Sequence, residues 1–382
     1  MAINDTKNSA NGTKDAVGVI AGPLVDRMLR SQRVVIIIGA GGVGKTTSAV
    51  ALAIHAARLG RRVALLSIDP AKRLAAALGI ELGHELRPVI FPEAAEIKGA
   101  LSAAMLDQKA VFDGMVRKHA PSPHIADRIL RDPLYIAAST NLSGPLEYMA
   151  LARLQELAES PEWDLVVLDT PPDSHALDFL ARPNVLSGFV ENKVMSRLLK
   201  PVVMAGRAGL GRVMAISEKV LGGITSVTGF GALKSFGEFV LLMQEVIEGF
   251  HRSGERVIEI LRRDSTSFVL VAAPHKAAAR AATALSRELG AMGYMLDGVV
   301  FNRCLPRTVS HDAAASNADE LAILKVRARS EDQVVEGFKD GLVGLQKGRA
   351  MWDVRIDDQT ADIHTLDGIL KFSKLYAADS SD

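Results

Sequence analysis

An apolar run at residues 34–38, Val-Val-Ile-Ile-Ile, is followed without a break by Gly-Ala-Gly-Gly-Val-Gly-Lys-Thr at residues 39–46. A β-branched run bounded by glycine is typical of a strand that is covered on both faces of a parallel sheet. The alanine-rich segment from Thr46 to Leu59 predicts a helix that Gly60 closes. Glycines between a strand and a helix let backbone N–H groups wrap around a phosphate chain at the positive end of the helix. The sequence therefore predicts a P-loop that binds ATP.

Two side chains of this loop indicate how the phosphates would be held. Lys45 would reach the β and γ phosphates, and the hydroxyl of Thr46 would coordinate magnesium. The other predicted nucleotide contacts in the loop are Gly39, Gly41, Gly42, Val43, Gly44 and Thr47. Two alternatives stay open: a glycine turn that binds nothing, and a G-x-G-x-x-G dinucleotide loop in which Asp69 binds the ribose. The dinucleotide alternative gives Lys45 and Thr46 no role, so the phosphate loop is favoured.

Carboxylates end two further apolar runs. Asp69 stands in Asp-Pro-Ala, and Asp169 stands in Leu-Asp-Thr-Pro-Pro. A carboxylate beside a phosphate loop can orient a water, or a magnesium-bound water, in line with the γ phosphate. Asp69 is therefore predicted to be catalytic together with Lys45, and Asp69 and Asp169 are predicted to hold magnesium with Thr46. The alternative for both acids is an ordinary strand-end turn.

Apolar runs alternate with helical patterns along most of the chain, which predicts a doubly wound, mostly parallel α/β sheet. A helix is expected at His364 to Leu375, and helices should fill the intervals between the strands. The polar residues 1–17 predict a disordered tail, and residues 18–380 a single domain with a helical insertion at about 185–263. The expected strands are Val34 to Ile38, Arg62 to Asp69, Leu165 to Asp169, Phe268 to Ala273, Gly298 to Asn302 and Trp352 to Ile356.

Composition narrows the classes of partner. The 45 basic residues nearly balance 44 acidic ones, so no global field favours nucleic acid or anionic lipid. Cys304 is the single cysteine, which excludes an intramolecular disulfide and a C-x-x-C zinc or redox motif within the chain. The uncharged apolar run 220–233 is too short for a bilayer, which needs about 20 residues. A cytoplasmic protein is expected, with peripheral contact at the membrane as an open possibility.

Three segments together resemble the ArsA-like ATPases, which include arsenical-pump ATPases and the ATPases that target tail-anchored membrane proteins. These segments are Gly39 to Thr47, Ser67 to Ala71 and Leu168 to His175, and residues 132–180 resemble the bacterial ArsA-related branch. The resemblance implies the deviant Walker A class of P-loop proteins and a dimer that sandwiches two ATP molecules. It also implies that Asp69 lies in a first switch segment and that residues 169–175 form a second.

The resemblance extends to the end of a later strand. It implies that Asn302 contacts the adenine. Arg303, the next residue, is also predicted to bind the nucleotide. It further implies an ATPase whose helical part moves when ATP is hydrolysed, serving membrane-protein targeting or transport.

One departure from the family pattern bears on hydrolysis. Ala40 stands where the family usually has a lysine that crosses the dimer to the partner's phosphates. Loss of that cation should slow hydrolysis unless another replaces it, and Lys72, Arg73, Arg303 or a partner subunit are the candidates. Two hypotheses follow: a dimeric, self-sufficient but slow ATPase, or a hydrolysis-impaired regulatory subunit of a heteromeric complex.

The client is the least determined part of the prediction. A single cysteine makes thiolate capture of arsenite improbable, and the cysteines that clasp the eukaryotic targeting dimer through zinc are missing. An apolar helix or a membrane protein could bind an adaptable groove of methionine and phenylalanine in the helical part. The favoured interpretation of most of these side chains is a helical core or a subunit contact. They are Met204, Met214, Phe230, Phe236, Phe239, Leu242 and Met243.

Overall fold

A computed structural model describes residues 21–69, 73–141, 146–171, 230–306, 318–343, 351–359, 363 and 365–377. Its eight-stranded sheet has helices on both faces. The strands are β1 (Val34–Gly39), β2 (Arg62–Ser67), β3 (Arg87–Pro88), β4 (Ala100–Met105), β5 (Leu165–Asp169), β6 (Thr266–Ala272), β7 (Leu296–Cys304) and β8 (Trp352–Asp357).

The helices of the described residues fall before, between and after these strands. They are α1 (Ala21–Ser31), α2 (Lys45–Arg58), α3 (Arg73–Leu78), α4 (Gln108–His119), α5 (Pro123–Arg131), α6 (Pro133–Asn141), α7 (Leu146–Glu159), α8 (Phe230–Leu261), α9 (Lys276–Ala291), α10 (Ala318–Val343) and α11 (Leu366–Ser373). Short 3-10 turns occur at Glu93–Ala95 and Lys374–Tyr376.

The strand order is β3-β4-β2-β5-β1-β6-β7-β8, and every pairing is parallel except β3 with β4. This order confirms the predicted doubly wound, mostly parallel α/β fold. β1 lies in the middle, between β5 and β6, where the chain changes direction across the sheet. Ligands bind such sheets outside the carboxyl ends of the strands at this switch point, so the loop after β1 is well placed for one.

The interval between β2 and β5 differs from the expectation that helices fill it. It contains the strands β3 and β4 in addition to helices. β4 reads Ala-Leu-Ser-Ala-Ala-Met, and its small residues have low β propensity, while β3 has only two residues. Several predicted ends also shift by one or two residues. β1 continues through Gly39, β2 stops at Ser67, so that Asp69 lies beyond the strand, and β7 runs from Leu296 to Cys304.

The two faces of the sheet have separate cores. Val35 and Ile37 of β1 face one core with α1, α2 and α11, whereas Ile36 and Ile38 face the other with α7, α9 and α10. Successive strand residues point to opposite faces, so a strand covered on both sides is apolar throughout. The unbroken β-branched run of β1 has this cause.

A third, smaller core joins α4 to α8 away from the sheet. Its members include Phe112 of α4, Tyr135 of α6 and Phe250 of α8, with the Phe112 ring 5.5 Å from that of Tyr135 and 5.2 Å from that of Phe250. Met243 is buried in this core, and Phe239 and Leu242 pack against it, in line with the favoured core interpretation. The predicted insertion at 185–263 stays a prediction, since its part at 185–229 lies outside the described residues, as do Met204 and Met214.

No helix in the described part of the chain combines the length and apolarity needed to cross a membrane.

The last helix braces the helix that follows the phosphate loop. α11 packs on α2, and the Arg58 guanidinium of α2 donates hydrogen bonds to the Leu370 carbonyl (3.1 Å) and the Ser373 hydroxyl. Phe372 and the fully buried Tyr376 lie in the same core, with ring centroids 6.0 Å apart. The position of α2 therefore depends on contacts with the end of the described chain.

We expect Phe372→Ala to lower the free energy of unfolding by about 3 to 5 kcal/mol, because it leaves a cavity between α11 and α2. The neighbouring Leu375 is 47% exposed, so Leu375→Ala should cost less than about 1 kcal/mol. Urea denaturation measures both. Equal losses in the two variants would contradict the packing described.

Candidate nucleotide site

The loop after β1 has a backbone that needs glycine at both ends. Gly39 has φ of +154°, and a Cβ there would lie 2.3 Å from the Val271 carbonyl oxygen. Gly44 precedes α2 with φ of +98°, and a Cβ there would lie 2.2 Å from the Asn302 amide nitrogen. Both spacings are too short for any side chain, so the loop fits against β6 and β7 only with glycine at these positions.

Lys45 folds back into this loop. Its ammonium donates hydrogen bonds to the carbonyl oxygens of Gly39 (2.9 Å) and Ala40 (2.8 Å), and only 6% of the residue is exposed. Both acceptors belong to the segment predicted to surround the phosphates. Ala40 itself contributes a carbonyl and a methyl group that packs on the core, and no charge.

Asp169 ends β5 and is completely buried. The parallel register places it beside Ser67 of β2 and Ile37 of β1. The Ser67 hydroxyl donates to Asp169 Oδ2 at 2.8 Å, whereas Oδ1 has no hydrogen-bond partner among the described residues. A buried carboxylate oxygen without a partner is costly, and a cation is the partner that such an oxygen suits best.

The charge of Asp169 reflects this setting. Burial raises the pKa of its carboxyl to about 6, against the lowering effect of the Ser67 and Thr46 hydroxyls and of the Lys45 ammonium, while the Asp69 carboxylate raises it further. Thr46, Lys45 and both acids therefore lie close enough to interact. A hydroxyl and one or two carboxylates are the ligands with which proteins hold Mg²⁺ beside phosphates, so these residues fit that ion.

Asp69 lies just beyond β2 and is 7% exposed. Its Oδ2 is 3.2 Å from the Arg73 guanidinium at the start of α3, and its backbone N–H donates to the Ser67 hydroxyl at 3.2 Å. Ser67 thus contacts both acids through one oxygen. No role of its own was predicted for Ser67. The available signal was a hydroxyl side chain at the end of a strand that leads to an acid.

The end of β7 contacts the loop from the other side. Asn302 is 4% exposed, and its amide donates to the Val43 carbonyl at 2.9 Å. The next residue, Arg303, is exposed and has φ of +62°, a conformation that costs a side-chain residue about 1 kcal/mol. Such local strain occurs most often at functional sites.

A cavity of about 500 Å³ lies beside this strand end and the loop. Its volume is ordinary for a small-molecule site. Its lining combines two glycines of the loop with several charged side chains, so it suits a polar ligand adjoining the phosphate loop. The lining includes Gly41, Gly42, Val43, His275, Arg303, Arg327, Ser330, Glu331 and Asp358.

The structure brings the predicted residues to one edge of the sheet. Lys45 and Thr46 follow β1, Asp69 follows β2, Asp169 ends β5, and Asn302 is in β7. Among the described residues, no side-chain hydrogen bond connects Thr47 to the others. Lys72 and the part of the second switch segment at 172–175 lie outside the described residues.

Asp169→Asn should stabilise the metal-free protein at pH 8, by on the order of 2 kcal/mol, because the variant carries no buried charge. The pKa of the wild-type carboxyl is about 6 in the folded state and 3.8 in the unfolded state. As the pH falls, the folded protein therefore binds this proton at a higher pH than the unfolded chain does. The wild-type disadvantage should therefore shrink as the pH falls through 6 and vanish near 4. Urea unfolding in EDTA at several pH values measures it. A difference that does not change with pH would contradict this account of Asp169.

Comparison with known proteins identifies the family of the chain. The family described as anion-transporting ATPases, the ArsA ATPases, matches residues 32–343. A protein named ATPase GET3 from Malassezia globosa is 33% identical over 150 residues, 39% of this chain and 41% of that protein. An ATPase GET3 from Mycosarcoma maydis is 30% identical over 176 residues, 45% of this chain and 49% of that protein.

A longer match links the chain to an uncharacterized Streptomyces coelicolor protein, SCO2128. It is 29% identical over 286 residues, 74% of this chain and 65% of that protein. In each of these three relatives, the matched part covers less than two thirds of the length. The family match, in contrast, covers most of this chain and includes the loop and both acids. The chain belongs to the ArsA family of P-loop ATPases.

Proposed function

We propose that this chain binds ATP with Mg²⁺ and hydrolyses it to ADP and phosphate. The observation that carries the proposal is the buried Asp169: its Oδ1 has no hydrogen-bond partner among the described residues, and its carboxyl interacts with Thr46 at the start of the phosphate-loop helix. Burying such a group costs stability, and magnesium nucleotide is the ligand that would use it. The relatives named ATPase support the same reaction.

Phosphate binding would begin with an exchange at Lys45. Its ammonium is held by two loop carbonyls, and phosphate oxygens are stronger acceptors than carbonyls because they are charged. Lys45 would therefore transfer to the β and γ phosphates, while the N–H groups from Gly39 to Thr47 surround them. Asn302 would keep the loop in position through its bond to Val43.

Thr46 and Asp169 would hold Mg²⁺, which neutralises phosphate charge when bound. Asp69 would then orient a water toward the γ phosphorus. The water oxygen bonds to phosphorus as the bond from phosphorus to the bridging oxygen breaks, ADP leaves with the electron pair, and the water proton passes to the released phosphate. Ser67 fixes the spacing of the two acids, since one hydroxyl contacts both residues.

The adenosine part of ATP would occupy the 500 Å³ cavity beside the loop. Arg303 of β7 lines this cavity, whereas Asn302 contacts the loop through the Val43 carbonyl, so the predicted adenine contact of Asn302 stays a prediction. The polar and charged side chains that α10 adds to the lining could form hydrogen bonds with the ribose hydroxyls.

A dimer of this chain, or one with a related ATPase, would be the working form, with the helices around the third core as the effector part. The family description supports a transport-associated role, and the resemblance in sequence supports membrane-protein targeting as the other candidate. Either role places the protein in the cytoplasm, in contact with a membrane partner. The signal would pass from the γ phosphate through Asp169 and the segment after it to α8.

A second function rests on Ala40. The loop carries no cation at this position, so the chain could bind ATP and serve as a hydrolysis-impaired regulatory subunit beside a partner that supplies one.

Steady-state ATP hydrolysis over a series of protein concentrations separates the two. For a self-sufficient dimer, turnover per chain should rise with concentration, depend on Mg²⁺, and fall at least about 100-fold in Asp69→Asn. Lys45→Ala should abolish nucleotide binding, and Asp69→Asn should retain it, as measured with a fluorescent ATP analogue.

Ala40→Lys is the informative variant. Inactive wild type at every concentration, with activity restored in Ala40→Lys, would favour the regulatory subunit. Normal hydrolysis by Asp69→Asn would show that another group orients the water.

A further inference from the structure

The ion pair between Asp69 and Arg73 joins two very unequal side chains. The Asp69 side chain is 8% exposed and the Arg73 side chain 59%, with 3.2 Å between Oδ2 and Nη1. An ion pair at the surface contributes little to stability. This one instead places an exposed guanidinium against the carboxylate that the proposed reaction uses.

The pair also conflicts with that reaction. A carboxylate that orients water must offer a lone pair to the water proton, and a guanidinium bound to it occupies one oxygen and makes it a weaker acceptor. Asp69 already interacts with the nearby Asp169 carboxylate, and the γ phosphate would add more negative charge at the same place. A cation that bridges these groups would be strongly favoured when ATP is bound.

The position of Arg73 fits such an exchange. It begins α3, close in sequence to Asp69, and its side chain is exposed along most of its length. In the proposed reaction the attacking water would lie between Asp69 and the γ phosphorus, so a cation bound to Asp69 would be near that phosphate. Lys45, by contrast, is held by the Gly39 and Ala40 carbonyl oxygens of the loop.

We propose that Arg73 is a catalytic residue that changes partner, from the Asp69 carboxylate without nucleotide to the γ phosphate of bound ATP. The exchange releases Asp69 to orient the water and brings a planar, bidentate donor to the charge that develops in the transition state. It also gives the site a preference for ATP over ADP, since only ATP carries the second partner. This inference rests on the proposed ATPase function.

Nucleotide titrations of the full chain test it, using Mg²⁺·ADP and a non-hydrolysable ATP analogue with a γ phosphate. Arg73→Ala should weaken binding of the analogue by about tenfold or more and leave ADP within about twofold of wild type. It should also lower kcat for ATP and raise KM. Arg73→Lys should recover part of the analogue affinity, because charge returns without the bidentate geometry.

Lys371→Ala is the matched control. It removes another exposed cation from an i,i+4 ion pair, with Asp367 on α11, far from the loop in the sequence. In Lys371→Ala, the affinities for both ligands and the kcat for ATP should equal those of the wild type.

Two results would overturn this inference and leave the proposed function intact. One is that Arg73→Ala binds both ligands as tightly as the wild type does. The other is a higher kcat in Arg73→Ala, which would show that Arg73 restrains Asp69. If wild type binds neither ligand, the proposed function fails and this inference with it.

Discussion

Burial of β1 on both faces is the constraint on which the remaining structure depends. The strand lies between β5 and β6, and its alternate residues enter two different cores. A strand held from four sides gives the loop at its end a fixed origin, and Gly39 and Gly44 let that loop fit against Val271 and Asn302. The precision of a phosphate site therefore comes from the packing of the sheet, and loop residues add the contacts.

The acids at the neighbouring strand ends, in contrast to the packing of β1, destabilise the protein without ligand. Asp169 is buried with one oxygen unpartnered, and Asp69 lies close enough to oppose its ionisation. These contacts reduce the stability of the protein without ligand, and they are grouped where a magnesium nucleotide would compensate them. Ser67 offsets part of this cost, because its hydroxyl donates to the Asp169 carboxylate and accepts from the Asp69 N–H. A site of this kind exchanges folding stability for binding energy.

Much of the centre of the fold could be predicted because parallel strands covered on both faces must be continuously apolar. β1, β2 and β5 carry that pattern, and glycine, lysine and aspartate at their ends indicated the site. β4 escaped prediction because alanine and serine suit a helix as well as a crowded strand. The role of Ser67 and the pairing of Asp69 with Arg73 depend on register and side-chain direction, which periodicity alone does not give.

The bracing of α2 by α11 has a consequence for the order in which the protein can mature. Arg58 and Ser373 are in contact although they are 315 residues apart in the sequence. During synthesis, the helix that carries Lys45 is complete long before its support at Phe372 and Tyr376 has left the ribosome. Contacts between residues so far apart in the sequence form late and slowly during folding. A nascent chain would therefore carry the phosphate loop without a rigid helix behind it until Phe372 and Tyr376 have been added, and competence for nucleotide would follow that step.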